Sequence, residues 1–149
     1  MLHFRKMDVE DLQFIYSNDH LRPLVTVAPV GEKFGVLVED EGAIKGGLTG
    51  YIDKQGAMIQ MIKIPDGSEH DQLIEGLLRA AVYMLDRENI KIIFYKEKID
   101  DIFSRVGFKE SKDRSTLPNL KIGKLIIDDI GKDSFSFLEV EKFFTHTCS

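Results

Sequence analysis

The chain alternates short apolar runs with turn-forming polar clusters, and one long segment breaks that rhythm. Ala57-Met-Ile-Gln-Met-Ile-Lys-Ile64 is mostly apolar and stops at Pro65-Asp66-Gly67, a triplet of fixed φ, turn-closing side chain and permissive glycine. It predicts a buried strand ending in a turn. From about Asp71 to Arg87 the period lengthens. Leu73, Leu77, Ala81 and Leu85 recur at every fourth position, Ile74, Leu78, Val82 and Met84 widen the stripe, and Glu75, Arg79 and Arg87 lie off it. That spacing predicts an amphipathic helix. Lys91-Ile-Ile-Phe-Tyr95 predicts a short second strand, and Asp100 to Phe108 a helical turn or two closed by Gly107.

The last forty positions are patterned less regularly. A polar stretch with Pro118 precedes the apolar run Leu120 to Ile127, and Ser134-Phe-Ser-Phe-Leu-Glu-Val140 alternates in part. The alternation predicts a strand paired either with Phe108 to Lys112 or with Lys121 to Ile127. Phe143 and Phe144 predict an aromatic surface that a second copy of the chain would cover, a possible homodimer. Gly46, Gly47 and Gly50 mark either a bulge or a close approach by substrate. Tyr51 reads as a cross-strand packing residue.

The order strand, turn, long helix, strand, short helix, with Ile102-Phe-Ser-Arg-Val-Gly-Phe108 at its end, resembles the GCN5-related N-acetyltransferase (GNAT) superfamily. Leu2-His-Phe-Arg-Lys6, Asp8 and a helix from Val9 to Tyr16 are similar to the family's opening strand and first helix. Phe34 to Glu39 and Ile44 to Ile52, joined at Asp40-Glu41-Gly42, are similar to its central hairpin. The resemblance covers residues 2–110 and implies an α/β (α+β) fold: a mixed, mostly antiparallel sheet with splayed strands, flanked by helices. Residues 1–149 are then a single domain.

The resemblance implies an acyl-coenzyme A dependent N-acyltransferase, with acetyl-CoA as cosubstrate and a small-molecule or peptide amine as acceptor. It places the pantetheine arm against Ile62, Lys63 and Ile64, and the pyrophosphate near Gly67, His70, Asp71, Gln72 and Leu73. The family's turn carries glycines and an arginine, so that backbone N–H groups approach the phosphates. Here Glu69-His-Asp-Gln-Leu-Ile74 has neither. Ser68-Glu-His-Asp71 instead has capping-box spacing, which predicts a helix that satisfies its own first N–H groups. The tyrosine that commonly protonates the leaving thiolate falls at Phe103, and the usual asparagine near Lys96. Tyr95 is the substitute acid, Glu97 reads as a solvated loop charge, and Gln60 is the neutral polar group on the first strand. A relative that keeps the fold without catalysis, binding a small ligand or a protein partner, is the alternative.

Composition narrows the classes. The formal charge of −5, with basic residues scattered, argues against nucleic-acid binding, which draws on clustered lysine and arginine. A hydrophobic content of 43% is that of a globular domain, able at this length to bury roughly two thirds of its unfolded surface. The single cysteine, Cys148, allows no internal disulfide, and with no apolar leader or membrane-length run it predicts a cytoplasmic protein. His3, His20, His70 and His146 lack metal-ligand spacing, so no metal is expected. Asp100-Asp101 and Asp128-Asp129 read as turn and helix-start acids.

Overall fold

A computed structural model describes residues 1–27 and 31–147. Its strands are β1 (Leu2–Lys6), β2 (Glu32–Asp40), β3 (Ala43–Asp53), β4 (Gly56–Lys63), β5 (Ile92–Tyr95), β6 (Lys109–Ser111) and β7 (Phe135–Glu139). They form one sheet in the order β1-β2-β3-β4-β5-β7-β6. Every neighbouring pair is antiparallel except β4 and β5, which run parallel because the helix α3 (His70–Arg87) carries the chain back between them. The β2–β3 hairpin turns on Glu41 and Gly42, both with positive φ (52° and 83°), the geometry that matches strand twist in a two-residue loop.

Each face of the sheet is covered by the apolar side of a helix. Leu73, Leu77, Leu78, Ala81, Val82 and Leu85 of α3 pack on Val36, Val38, Leu48, Ile59, Ile93 and Leu138. Each such side chain gains about 1.5–3 kcal/mol on burial, more than the propensity of any residue in the helix, so docking is what holds α3. The helix α4 (Asp101–Val106) joins this face through Ile102, Phe103 and Val106. Its N-terminus is capped by Asp100, which accepts from the N–H groups of Ile102 (3.0 Å) and Phe103 (3.3 Å), as the helix-start reading of that acid requires.

On the opposite face α5 (Lys124–Ile130) buries Ile126 and Ile130 against Tyr51, Met58, Ile92, Phe94, Phe135 and Phe137. Asp53, at the end of β3, accepts from the N–H of Leu125 at 2.8 Å and so caps α5 from a distant strand. The short helices α1 (Leu12–Ser17) and α2 (Pro23–Thr26) close the rest of that face with Ile15, Leu21 and Leu24 on Leu37. The segment before α1, Val9–Asp11, is a 3-10 turn rather than the start of an α-helix.

In the C-terminal region the structure decides between the two strand partners left open and removes the aromatic surface expected there. Residues 124–130 are helical, so β7 pairs with β6 through Lys109↔Phe137 to Ser111↔Phe135 and not with the Lys121 to Ile127 run. Phe143, in α6 (Val140–Thr147), is 3% exposed and Phe144 is half-buried, both rings meeting Tyr83 of α3 edge-on. That packing removes the exposed aromatic surface on which a dimer was expected. Cys148 lies outside the described residues, and no helix among those described is long and apolar enough to cross a membrane.

Candidate active site

The parallel strands pair from Gly56↔Ile92 to Ile59↔Tyr95 and then part, as β5 ends while β4 continues to Lys63. The parting coincides with a bulge. On the β3 side the register jumps from Thr49↔Met61 to Gly50↔Ile59, leaving Gln60 as the extra residue. A bulge reverses the alternation of side chains beyond it. Ile59 and Ile62 therefore both pack on the α3 face although they stand an odd number of residues apart. Gly50 sits opposite, where a Cβ would overlap the carbonyl oxygen of Met58. Of the two readings of these glycines, Gly50 serves a close approach of backbone within the bulged pair. A second irregularity leaves Lys45 extra between Val38↔Gly46 and Glu39↔Ile44.

Among the described residues, no strand pairs with Met61 to Lys63 on the side of β4 that faces β5. The gap opens on the α5 side into a cleft of about 270 Å³, lined by Val27, Met58, Ile59, Gln60, Lys96, Glu97 and Asp129. Lys96 Nζ donates to Asp129 Oδ1 at 2.8 Å, and the Tyr51 hydroxyl donates to Oδ2 of the same carboxylate at 2.7 Å. Tyr51 is fully buried. That burial, and then the Asp129 carboxylate beside it, pushes its phenol well above the ordinary value. Asp129 occupies the last turn of α5, not a helix start, at the end where the helix dipole disfavours an anion. Lys96 and Tyr51 offset that penalty. Glu97 is exposed at the rim, as its reading as a loop charge anticipates.

On the α3 side the wall is aromatic. Tyr95 is half-buried and stacks on Phe103 with ring centroids 4.7 Å apart and planes 10° apart, and Phe103 meets Phe108 edge-on at 5.5 Å. Burial raises the Tyr95 phenol, with the charges of Glu97 and Asp100 adding to it. Among the described residues the hydroxyl makes no side-chain hydrogen bond.

The turn into α3 differs from the expected capping box. Glu69, not Ser68, is the N-cap, and its side chain makes no capping hydrogen bond. Asp71 Oδ1 instead stands 3.4 Å from His70 Nδ1. A positive φ of 145° at Gly67 turns the chain inward and lets the His70 N–H reach the Gly67 carbonyl at 3.2 Å, which pulls Ser68 out of capping position. Asp66, Glu69, Asp71 and Gln72 are exposed around this turn, while Leu73 puts its side chain, 2% exposed, into the core. Ile62, Lys63 and Ile64 are half-buried along β4 and just past its end.

The fold thus brings Tyr95 and Phe103 into contact and sets Ile62 to Ile64 on the open edge leading to the α3 turn. Sequence reasoning did not single out Asp129 or its link to Tyr51 and Lys96. Nothing local signals it, because a helix in a loop-like stretch positions the carboxylate. Among the described residues no group of three or more His, Cys, Asp or Glu side chains is arranged to hold a metal ion.

No protein-family model matches the sequence, and no curated protein matches it. Solved structures do match its fold. The ribosomal-protein-S18-alanine N-acetyltransferase from Escherichia coli superposes with a TM-score of 0.63 at 13% identity, over 94% of each chain. The PaiA N-acetyltransferase from Thermoplasma acidophilum, solved with coenzyme A, gives 0.60 at 12% identity over 93% of this chain and 99% of that one. A GNAT family acetyltransferase from Brucella melitensis, solved with acetyl-CoA, gives 0.57 at 15% identity over 73% and 83%. With its mixed seven-stranded sheet and a parallel strand pair that parts beyond Ile59, the chain has the fold of the GCN5-related N-acetyltransferases.

Proposed function

We propose that the chain is an acyl-CoA dependent N-acyltransferase that moves an acetyl group from acetyl-CoA to the amine of a small molecule or peptide, in a cytoplasmic setting. The observation that carries this reading is the parting of β4 from β5 beyond Ile59, next to the register shift at Gly50, which leaves Met61 to Lys63 with no strand pairing on that side among the described residues. An unpaired strand edge offers backbone donors and acceptors in a row, the complement of an extended amide-bearing arm.

The fit of acetyl-CoA to these residues is uneven. Its pantetheine arm suits the edge at Ile62, Lys63 and Ile64. Its pyrophosphate would meet the turn at Gly67, His70, Asp71, Gln72 and Leu73. There Gly67 leaves open space, with nothing within 4 Å of where a Cβ would stand, but the carboxylates of Asp66, Glu69 and Asp71 repel polyanions. Acetyl-CoA, when bound, supplies a thioester carbonyl for the amine to attack and a thiolate to leave. For this chain's part, backbone N–H groups of β4 steady the developing oxyanion. The attacking amine gives up its proton to solvent as the amide forms, and Tyr95, protonated at neutral pH, gives its proton to the leaving thiolate and regains one from solvent. Phe103 closes the apolar wall behind Tyr95 and excludes water.

Two observations favour a second reading, a fold relative that binds a partner or small ligand without catalysis. Phe103 is buried at the position where the family carries its tyrosine acid, and the phosphate turn is acidic. Melting temperature separates the two. A ligand at about a hundred times its dissociation constant adds about 2.7 kcal/mol, a shift of several degrees. A rise specific to acetyl-CoA and coenzyme A, absent with ATP, supports the acyltransferase. No rise at saturating concentrations of either leaves the silent relative.

A further inference from the structure

We propose that the pocket between α4, β6, β7 and α6 binds a free medium-chain alkanoate, with its hydrocarbon tail against the core and its carboxylate on Lys109 beside Lys142 at the mouth. The proposal stands whether or not the chain transfers acyl groups, because the pocket lies away from the parting strands. Glu139, on its wall, pairs with Ile92 at the start of β5, whereas β5 leaves β4 past Tyr95, at its other end.

The pocket holds about 300 Å³, at the low end for small-molecule sites, and has their make-up of apolar wall and few polar groups. Val106, Phe108, Leu138 and Phe143 line it, and all four are buried members of the core on the α3 face. They come from segments that meet here without closing: α4 ends at Val106, β6 starts at Lys109, and α6 turns off the end of β7. Space between buried apolar side chains holds water poorly, and every methylene that enters it leaves water at a gain.

Charge at the mouth selects the head group. Lys142 Nζ stands 2.6 Å from Glu139 Oε2, so that carboxylate is already balanced, and the lysine keeps two further N–H donors. Lys109 is exposed and has no ion-pair partner among the described residues. One uncompensated ammonium matches one carboxylate. An alkyl amine would face two lysines there.

The test is titration calorimetry with octanoate, using butyrate to shorten the tail and octylamine to reverse the head-group charge. Both controls should bind about tenfold more weakly or worse. Lys109→Met removes an exposed charge and should weaken octanoate about threefold. Ser104→Trp sets a bulky ring at the mouth from an exposed position of α4 and should abolish binding, with the melting temperature checking the fold. If that variant does not fold, Lys109→Met and the two controls decide the matter. Saturating coenzyme A should leave octanoate affinity unchanged. No octanoate binding at millimolar concentration, butyrate or octylamine binding as tightly, or full affinity in Lys109→Met or in folded Ser104→Trp would overturn the proposal. So would loss of octanoate in the presence of coenzyme A, which would place the tail in the cleft at β4 and β5.

Discussion

The Tyr51 hydroxyl donates to Asp129 across 2.7 Å and ties β3 to a helix 78 positions further along the chain. A hydrogen bond from a buried phenol to a carboxylate contributes about 1.5–3 kcal/mol. Tyr51→Phe keeps the ring that packs on Met58 and Phe94 and removes the hydroxyl, with its bond to Asp129 and its longer 3.4 Å contact to the Leu125 carbonyl oxygen. It should lower the unfolding free energy by that amount in urea titration, with an unchanged m-value. A loss under about 0.5 kcal/mol would mean that water replaces the phenol without penalty.

Three groups that are at least partly buried bear on the pH range of stability. The Asp11 carboxyl lies below its ordinary value, first through its hydrogen bonds to the Arg5 guanidinium (2.7 Å at the shorter), then through the Asp8 N–H, with burial opposing. A carboxyl depressed in the folded state adds stability above the unfolded value of about 3.9, lost as pH falls through the folded one. The Tyr51 and Tyr95 phenols are raised, chiefly by burial. Above about pH 10 the unfolded chain gives up these protons first, so stability falls again as pH rises. Melting temperature against pH should fall at both of those limits. Arg5→Met should erase part of the acid limb and leave the alkaline limb intact.

Gly50→Ala should be disproportionately costly. The added methyl meets the backbone oxygen of Met58, which cannot swing aside as a side chain would, at the residue next to the bulge. Overpacking of this kind costs about 1–3 kcal/mol. A melting temperature within a degree or two of wild type would show that the bulged pair can slide.

The acidic turn into α3 makes its own prediction. Gln72→Gly together with Glu69→Arg opens the first helical turn and exchanges a negative for a positive charge beside its N–H groups. Coenzyme A affinity should rise about tenfold by calorimetry, the combined worth of a glycine approach and a charge change at a helix start. Unchanged affinity would place the pyrophosphate elsewhere.

The elements that were legible in the sequence are those whose signal is local. The helix α3, read from its periodicity, begins one residue before its predicted start and ends at Arg87, and β1 stands at Leu2–Lys6, where the family resemblance placed the opening strand. The hairpin joined at Asp40 to Gly42, which the family resemblance implied, does turn on Glu41 and Gly42, both with positive φ. The stretch from Lys124 to Ile130 was not, since a short apolar run has no period that separates strand from helix. It is helical because Asp53 caps it and the sheet face at Tyr51, Met58 and Phe94 needs covering. The Ser68 capping box failed for a related reason: spacing cannot report the φ of Gly67, which decides where the helix begins.

By itself, then, the sequence determined the order of strands and helices, the buried face of α3 and the corner at Gly107, all set by contacts between residues near in the chain. Only the tertiary structure decided that β4 bulges at Gln60, that Ile59 and Ile62 share a face, and that Asp129 comes to lie between Tyr51 and Lys96. Those depend on strand register and on a helix docked across the sheet. The free energy that selects them comes from burial summed over distant segments, which no local pattern of residues records.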